Sequence, residues 1–315
     1  MKKVNWLDLT PEEFIDRRAE CPVCFMPYGL AECHGVYNYM GTDWYPVSKV
    51  CESAAQKGGG IVAPYFAWHI DEEPEFNWSM RGCGMGEFIG ASIPAYMFFH
   101  NILYHLRTFD ARGFKAVLLV SGHAVQGTVH DVNLMIDYYK RKTGSPIQAE
   151  FFGYFKPFTK ESFPGVWRGH AGEMETALSY AARPDLAPTH LLGTEPRYPE
   201  IGGGGGHENR RPYNEPTQFD NRAGRGDDLL KLGNEALEFL SDGLAAKAKE
   251  LLNAYIEPDV RPAAPNYYEL EEIWTSFEKI TSRYWKTNVT WDEYTEGRKH
   301  PDFPGWDWFM KDGKK

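Results

Sequence analysis

Val23-Cys24-Phe25-Met26-Pro27, followed a few residues later by Glu32-Cys33-His34-Gly35-Val36-Tyr37-Asn38-Tyr39-Met40-Gly41-Thr42-Asp43, decides how this chain is read. The first run is apolar and of strand length, and predicts a short buried strand. Three potential metal ligands, Glu32, His34 and Asp43, follow it, the last after a turn-prone segment. They therefore fall at or just beyond the end of a strand, where open α/β sheets place their sites. Carboxylate plus imidazole suits zinc, manganese or iron(II) better than calcium or magnesium.

Three ligands do not complete a site, and two other stretches supply more. Ala116-Val117-Leu118-Leu119-Val120 is a second strand-length apolar run, and it ends in Ser121-Gly122-His123. That puts His123 at the carboxyl end of a strand. Gly169-His170-Ala171-Gly172-Glu173-Met174-Glu175-Thr176-Ala177 opens a helical pattern and offers His170, Glu173 and Glu175. Together these residues are enough for two metals sharing a bridging carboxylate.

Outward from these motifs, strands and helices alternate. Thr10-Pro11-Glu12-Glu13 predicts a capped helix start, with the helix running to about residue 19. Helices are expected over about 44–57, 93–111, 127–142 and 228–252. Strands are expected over 61–65, 115–120 and 148–154. Alternation of this kind predicts a mostly parallel, doubly wound sheet in a three-layer α/β/α arrangement. Residues 66–90 read as irregular, and His69-Ile70-Asp71-Glu72-Glu73 as an acidic surface loop. His100 and His105, on the helix over 93–111, read as satisfied core or surface residues. Five glycines, Gly202 to Gly206, match neither a phosphate-binding nor a dinucleotide loop. The region of about 196–226 reads as a flexible loop near the site. One domain is expected over 1–256, with the helical core ending near Pro258. Residues 257–315, rich in Trp, Tyr and charge, read as a packing or assembly arm.

Bulk composition excludes several function classes. Hydrophobic residues make up 42% of 315, ample for a large core. A net charge of −10 argues against nucleic-acid binding, which needs a basic face. No apolar run approaches the ~18 residues of a membrane span. The N-terminal Met1-Lys2-Lys3 has no apolar stretch after it, so no signal peptide is read there. Five scattered cysteines, an odd count, suit a reducing cytoplasm. Cys21-Pro22-Val23-Cys24 reads as small hydrophobes entering a strand, because no second pair completes a zinc site. Aromatics reach 15%, and packing explains them more simply than pocket walls.

Taken together, the three motifs resemble those of the creatininase (creatinine amidohydrolase) family. That family's first motif runs Glu-x-His-Gly-x-His-Leu-Pro-x-x-Thr-Asp. Glu32, His34, Gly35, Thr42 and Asp43 match it at the same spacing. Its second, Asn-Gly-His-Gly-Gly-Asn, keeps Gly122 and His123 within Ser121-Gly122-His123-Ala124-Val125-Gln126. Its third, His-Ala-Gly-x-x-Glu-Thr, matches His170 to Thr176. The order agrees, over roughly residues 20–250. Tyr37 stands where the family has a second histidine, Asn38-Tyr39 replace its Leu-Pro, and Val125 replaces a metal-binding glutamate of creatininase. These changes are expected around the substrate pocket, and they point away from creatinine itself.

The resemblance implies a metal-dependent amidohydrolase that cleaves a C–N bond of a cyclic amide, formamide or related small molecule. Asp43 would bridge two divalent ions, zinc or manganese, with iron a further candidate. Glu32 and His123 would complete one position and His34 and Glu175 the other, Glu175 as in other branches of the family. His170 would shuttle a proton to the leaving nitrogen, oriented or stabilised by Glu173. A homo-oligomer, typically a hexamer, is implied. Two other classes stay open: an isomerase or lyase on a sugar-like substrate, and a non-catalytic binding protein. Product analysis separates the first, since isomerisation consumes no water, and a metal assay the second.

Overall fold

The structure is a computed structural model and describes residues 2–32, 34–35, 37–70, 91, 93, 95–123, 128–159, 161–166, 168–194 and 222–278. Four strands, β1 (Val23–Tyr28), β2 (Ile61–Val62), β3 (Ala116–Ser121) and β4 (Gln148–Gly153), form a sheet in the order β2-β1-β3-β4. Every pairing is parallel, with Tyr28 opposite Ser121 and Ser121 opposite Gly153. Parallel strands need covered faces, which is why β1 and β3 are buried at every position and, apart from Ser121 at the end of β3, built of largely apolar residues.

Successive side chains go to opposite faces. Cys24, Met26, Tyr28, Val117 and Leu119 join one core with helices α3 (Ala95–Ala111) and α4 (Thr128–Thr143). Val23, Phe25, Leu118 and Val120 join another with α2 (Tyr45–Gly58), α5 (Glu173–Ala182) and α6 (Gly226–Ala254). The layers are therefore helix, sheet and helix, as the alternating pattern predicts. Each fully buried Leu or Phe contributes roughly 1.5–3 kcal/mol. The first helix, α1 (Pro11–Glu20), carries the expected capping box. Glu13 N–H donates to Thr10 Oγ1 at 3.3 Å, and Thr10 N–H to Glu13 Oε2 at 2.8 Å.

Three expectations need correction. The second strand holds only Ile61–Val62: Ala63 N–H still donates to Phe25 O at 2.8 Å, but Pro64 has no N–H to carry the ladder on, and pairing with β1 recurs only as a bridge between Phe66 and Tyr28. Helical core does not end at Pro258. Helix α7 (Tyr267–Glu278) buries Leu270, Ile273, Trp274 and Phe277 against the α3–α4 side. The segment before it is clasped by Arg261, which donates to Asp110 Oδ1 and Phe114 O, each at 3.0 Å. The first part of the expected arm is thus a third helix of that layer, while residues 279–315 and the glycine run 202–206 lie outside the described residues. Third, His69 belongs to no surface loop: it is fully buried. Asp71, Glu72 and Glu73 lie outside the described residues.

His105 is a satisfied core histidine, with the Tyr28 hydroxyl 2.9 Å from its Nδ1. Cys24 and Cys51 are buried and free, and Cys21 is partly exposed and free, in line with their reading as small hydrophobes. No helix among the described residues is long and apolar enough to cross a membrane.

Candidate metal centre

Strand order reverses between β1 and β3: the chain steps from β1 out to β2, then returns to the other side of β1 for β3. Such a switch point opens a crevice beyond the carboxyl ends of the two strands. Glu32 and His34 leave β1 into that crevice, and His123 leaves β3.

Between His34 and Asp43 the chain folds back on itself. Glu32 N–H donates to Met40 O at 3.0 Å, and the Thr42 hydroxyl donates to Tyr39 O at 2.8 Å. Thr42 therefore fastens the turn that delivers Asp43. Space for Asp43 comes from two glycines at the strand ends. A Cβ at Gly122 would lie 1.8 Å from Asp43 O, and one at Gly29 2.8 Å from Trp44 Cα. Only glycine permits these approaches. Asp43 sits just before α2, and Glu175 lies in the first turn of α5, where helix dipoles favour negative charge. Helix α5 is held close to α6 at Gly233, where a Cβ would meet Ala177 O at 1.9 Å.

Side chains from four segments converge. Asp43 Oδ1 is 3.0 Å from His34 Nε2, and its Oδ2 is 3.0 Å from His123 Nδ1. Glu32 Oε2 lies 3.2 Å from His123 Nδ1 and 4.0 Å from both His34 Nε2 and His170 Nδ1. Glu175 Oε2 lies 3.7 Å from His34 Nε2 and accepts from Ala171 N–H at 2.6 Å. His34 Nδ1 faces Glu32 O at 3.3 Å, which turns Nε2 toward the carboxylates. The rings of His34 and His170 lie 4.2 Å apart. Ala171, next to His170, has φ of +55°, a strained conformation for a residue with a side chain. The Glu175 carboxylate, bonded to its N–H, helps hold it.

This cluster is rich in carboxylates and deeply buried. Glu32, His34, Asp43 and His123 are each exposed by 6% or less. Burial opposes a cationic His34, but Asp43, Glu175 and Glu32 outweigh it and raise its pKa to about 10. His123 is raised likewise against its burial, by Glu32 and Asp43. Burial raises Asp43, yet the two imidazoles hold it well below the usual carboxylate range. Burial pushes Glu175 up to about 8.

Two observations fit a metal. Glu32 Oε2 and His123 Nε2 are buried with no hydrogen-bond partner among the described residues; the 3.2 Å contact of Glu32 to His123 Nδ1 is an ion-pair distance without hydrogen-bond alignment. Ligand atoms of Glu32, Asp43 and His123, and separately of Glu32, His34 and His170, lie within 4.8 Å of one another. Buried polar atoms are normally paired, so these mark a place for a ligand.

Some site expectations move. Glu173 Oε1 pairs with the Arg225 guanidinium at 2.6 Å, tying the start of α5 to the start of α6. Arg225 carried no sequence signal. Tyr37 does not wall a pocket: it packs with Ala171, Ala177 and Tyr180, and its hydroxyl donates to Thr194 O at 3.1 Å. The Tyr39 hydroxyl donates to Ser179 O. Sequence reading also passed over His69 and Ser121, which touch the His123 segment. Ser121 opens the Ser121-Gly122-His123 motif and His69 stands in a possible ligand cluster, but no local pattern shows that the two meet.

Comparison with known proteins agrees with this fold. No curated protein matches the chain. Among solved structures, a glutamate-to-glutamine mutant creatininase complexed with creatine has a TM-score of 0.59 at 22% identity, covering 79% of this chain and 98% of that one. A Zn-Zn form of such a mutant has a TM-score of 0.58 at 21% identity, and a manganese creatininase 0.58 at 20%, both with the same coverage. At these identities the likeness shows the fold. The family model described as creatininase, creatinine amidohydrolase, matches residues 7–228, more than half of the chain. The chain therefore belongs to the creatininase family, whose members are hydrolases acting on amide C–N bonds.

Proposed function

We propose that this chain is a metal-dependent amidohydrolase that cleaves a C–N bond of a cyclic amide, formamide or related small molecule at the crevice beyond β1 and β3. The single observation that carries the reading is the placement of Asp43. Its two oxygens each face a different imidazole at 3.0 Å, so that Asp43 could be shared between two ions, each also held by one of those imidazoles. Glu32 and His123 would hold one ion, and His34 and Glu175 the other. Zinc or manganese fits this nitrogen and oxygen donor set, and both occur in the similar structures named above. When bound, the ions supply Lewis acidity toward the carbonyl and activation of water near neutral pH.

The chain's own residues do the rest. The buried walls exclude bulk water from the reacting carbon. His170 is the least buried imidazole of the cluster, its side chain 22% exposed, and carries a proton from the attacking water to the leaving nitrogen. The Ala171 turn and the Glu175 carboxylate fix where that ring stands. Glu173 acts through its ion pair with Arg225, holding the start of α5 and with it the His170 turn.

Assembly as a homo-oligomer, a hexamer, and a cytoplasmic location belong to the same reading. Light scattering should give a species well above the 36.0 kDa chain. The chemistry is tested by incubating zinc- or manganese-loaded protein with creatinine, other cyclic amides and formamides, and following C–N cleavage by mass spectrometry. Turnover that disappears on chelation and returns with metal supports the reading. Isomerised product without uptake of water would overturn it.

A further inference from the structure

We infer that His69 and Ser121 form a strut that positions His123 in the metal centre, an inference that rests on the ligand set proposed above. Ser121 is the last residue of β3 and is buried. Its hydroxyl donates to His123 O at 2.6 Å and accepts from His123 N–H at 3.2 Å. One side chain thus holds both peptide groups of the ligand residue. His69 approaches from a segment 52 positions away, its Nε2 3.3 Å from the same hydroxyl. Its Nδ1 faces Ile70 O at 3.1 Å. A carbonyl only accepts, so Nδ1 carries the ring proton and Nε2 is an acceptor. The Ser121 hydroxyl has one proton, which goes to His123 O at 2.6 Å or to His69 Nε2 at 3.3 Å but not to both at once, while its lone pairs receive His123 N–H.

The His69 ring is clamped in turn. It lies 3.9 Å from the Phe98 ring, tilted by 43°, and stands edge-on to His123 at 5.0 Å. Its own carbonyl accepts from Ile93 N–H at 3.0 Å. On the far side, Gly122 is pressed against Asp43 O, so the 121–123 backbone cannot retreat from the strut. A fully buried imidazole is costly where an apolar ring would pack equally well. Among the described residues, Ser121 is the side chain its Nε2 meets. Residues behind metal ligands fix ligand orientation, and their loss weakens metal binding by roughly 10–100-fold. His69 and Ser121 are positioning residues and need not touch the ion.

The test uses the full-length apoprotein and cobalt(II), whose visible absorption reports its coordination. Wild type, H69F, S121A, S121T and the H69F/S121A double variant are titrated, with thermal unfolding of each apoprotein measured alongside. H69F and S121A should bind cobalt roughly 10–100-fold more weakly, with an altered spectrum. S121T, which keeps the hydroxyl, should recover wild-type binding to within a few-fold. The double variant should be no weaker than S121A, since both changes act through one hydroxyl. Wild-type affinity and spectrum in S121A would overturn the strut, as would two fully additive losses. If H69F fails to fold, the S121A and S121T pair decides alone. Wild-type protein that binds no cobalt would take the proposed centre down with the strut, whereas bound cobalt with indifferent variants takes down the strut only.

Discussion

Asp43 and Asp110 are equally buried, each 4% exposed, yet their surroundings are finished differently. Asp110 has one oxygen on the Tyr139 hydroxyl at 2.8 Å and the other on the Arg261 guanidinium at 3.0 Å. One anion meets one cation and one hydroxyl, and the pair fastens the segment leading to α7 onto the core. Asp43 meets two imidazoles, with the Glu32 and Glu175 carboxylates close behind. Three carboxylates crowd two of the histidines, and buried polar atoms are left over. The first cluster is complete within the chain. The second is complete only with added positive charge. Burial alone therefore does not distinguish a structural carboxylate from a functional one; the balance of charge around it does.

The largest effect that could break this contrast is removal of Asp43. Asp43→Ala should lose the bound ions, of which the wild type should carry up to two per chain, and with them all turnover. His34→Ala should lose at least one ion. Elemental analysis that finds full occupancy in either variant would sink the ligand assignment. Next in size is His170→Ala, which should keep fold and metal but lose roughly 10²–10⁴-fold in turnover. Metal content and rate must be measured on the same sample. Normal rate would make His170 structural, and lost metal would make it a ligand in place of Glu175.

Asp110→Ala sharpens the other side of the comparison. The variant leaves the Tyr139 hydroxyl and the partly exposed Arg261 guanidinium without their shared partner, so stability should fall by roughly 1–3 kcal/mol in urea unfolding. Metal content should not change. A variant that keeps its stability but loses metal would reverse the roles assigned to the two aspartates.

The smallest effect concerns an imidazole with no carboxylate against it. His34 is raised by its acidic neighbours, whereas burial lowers His105 to about 4. A base with a depressed folded pKa binds fewer protons in the native state. Its contribution is full above the unfolded value of about 6.5 and is lost as pH falls toward 4. The loss between pH 7 and pH 5 should be roughly 2 kcal/mol. His105→Phe should flatten that limb of the stability curve. An unchanged slope between pH 7 and pH 5 would show that His105 does not titrate there.

Much of this was legible before any coordinates. Strands β1 and β3 announce themselves as unbroken apolar runs, because a parallel strand is covered on both faces. Helix α1 was legible from Thr10, Pro11 and Glu13, since a capping box is a local arrangement. The site residues were legible as motifs, down to Gly122 and Thr42, whose roles are steric and hydrogen-bonding requirements of Asp43. Less legible was anything that depends on a distant partner. His69 looked like part of an acidic loop because its neighbours in sequence are Asp71, Glu72 and Glu73. Tyr37 looked like a pocket residue because it stands between ligands in sequence, though its ring is buried in packing. Glu173 looked like a partner for His170 and pairs with Arg225.

The sequence by itself determined the layer architecture, the strand ends that carry the candidate ligands and the chemical types of those residues. Periodicity and turn chemistry are local, so a single chain records them. Only the tertiary structure decided that Asp43 lies between His34 and His123, that Glu175 faces His34, and that Arg261 draws the segment before α7 onto the sheet's helical layer. Those facts depend on strand order and helix docking across tens to more than a hundred residues. No local pattern encodes such distances, because they are set by the joint burial of whole elements.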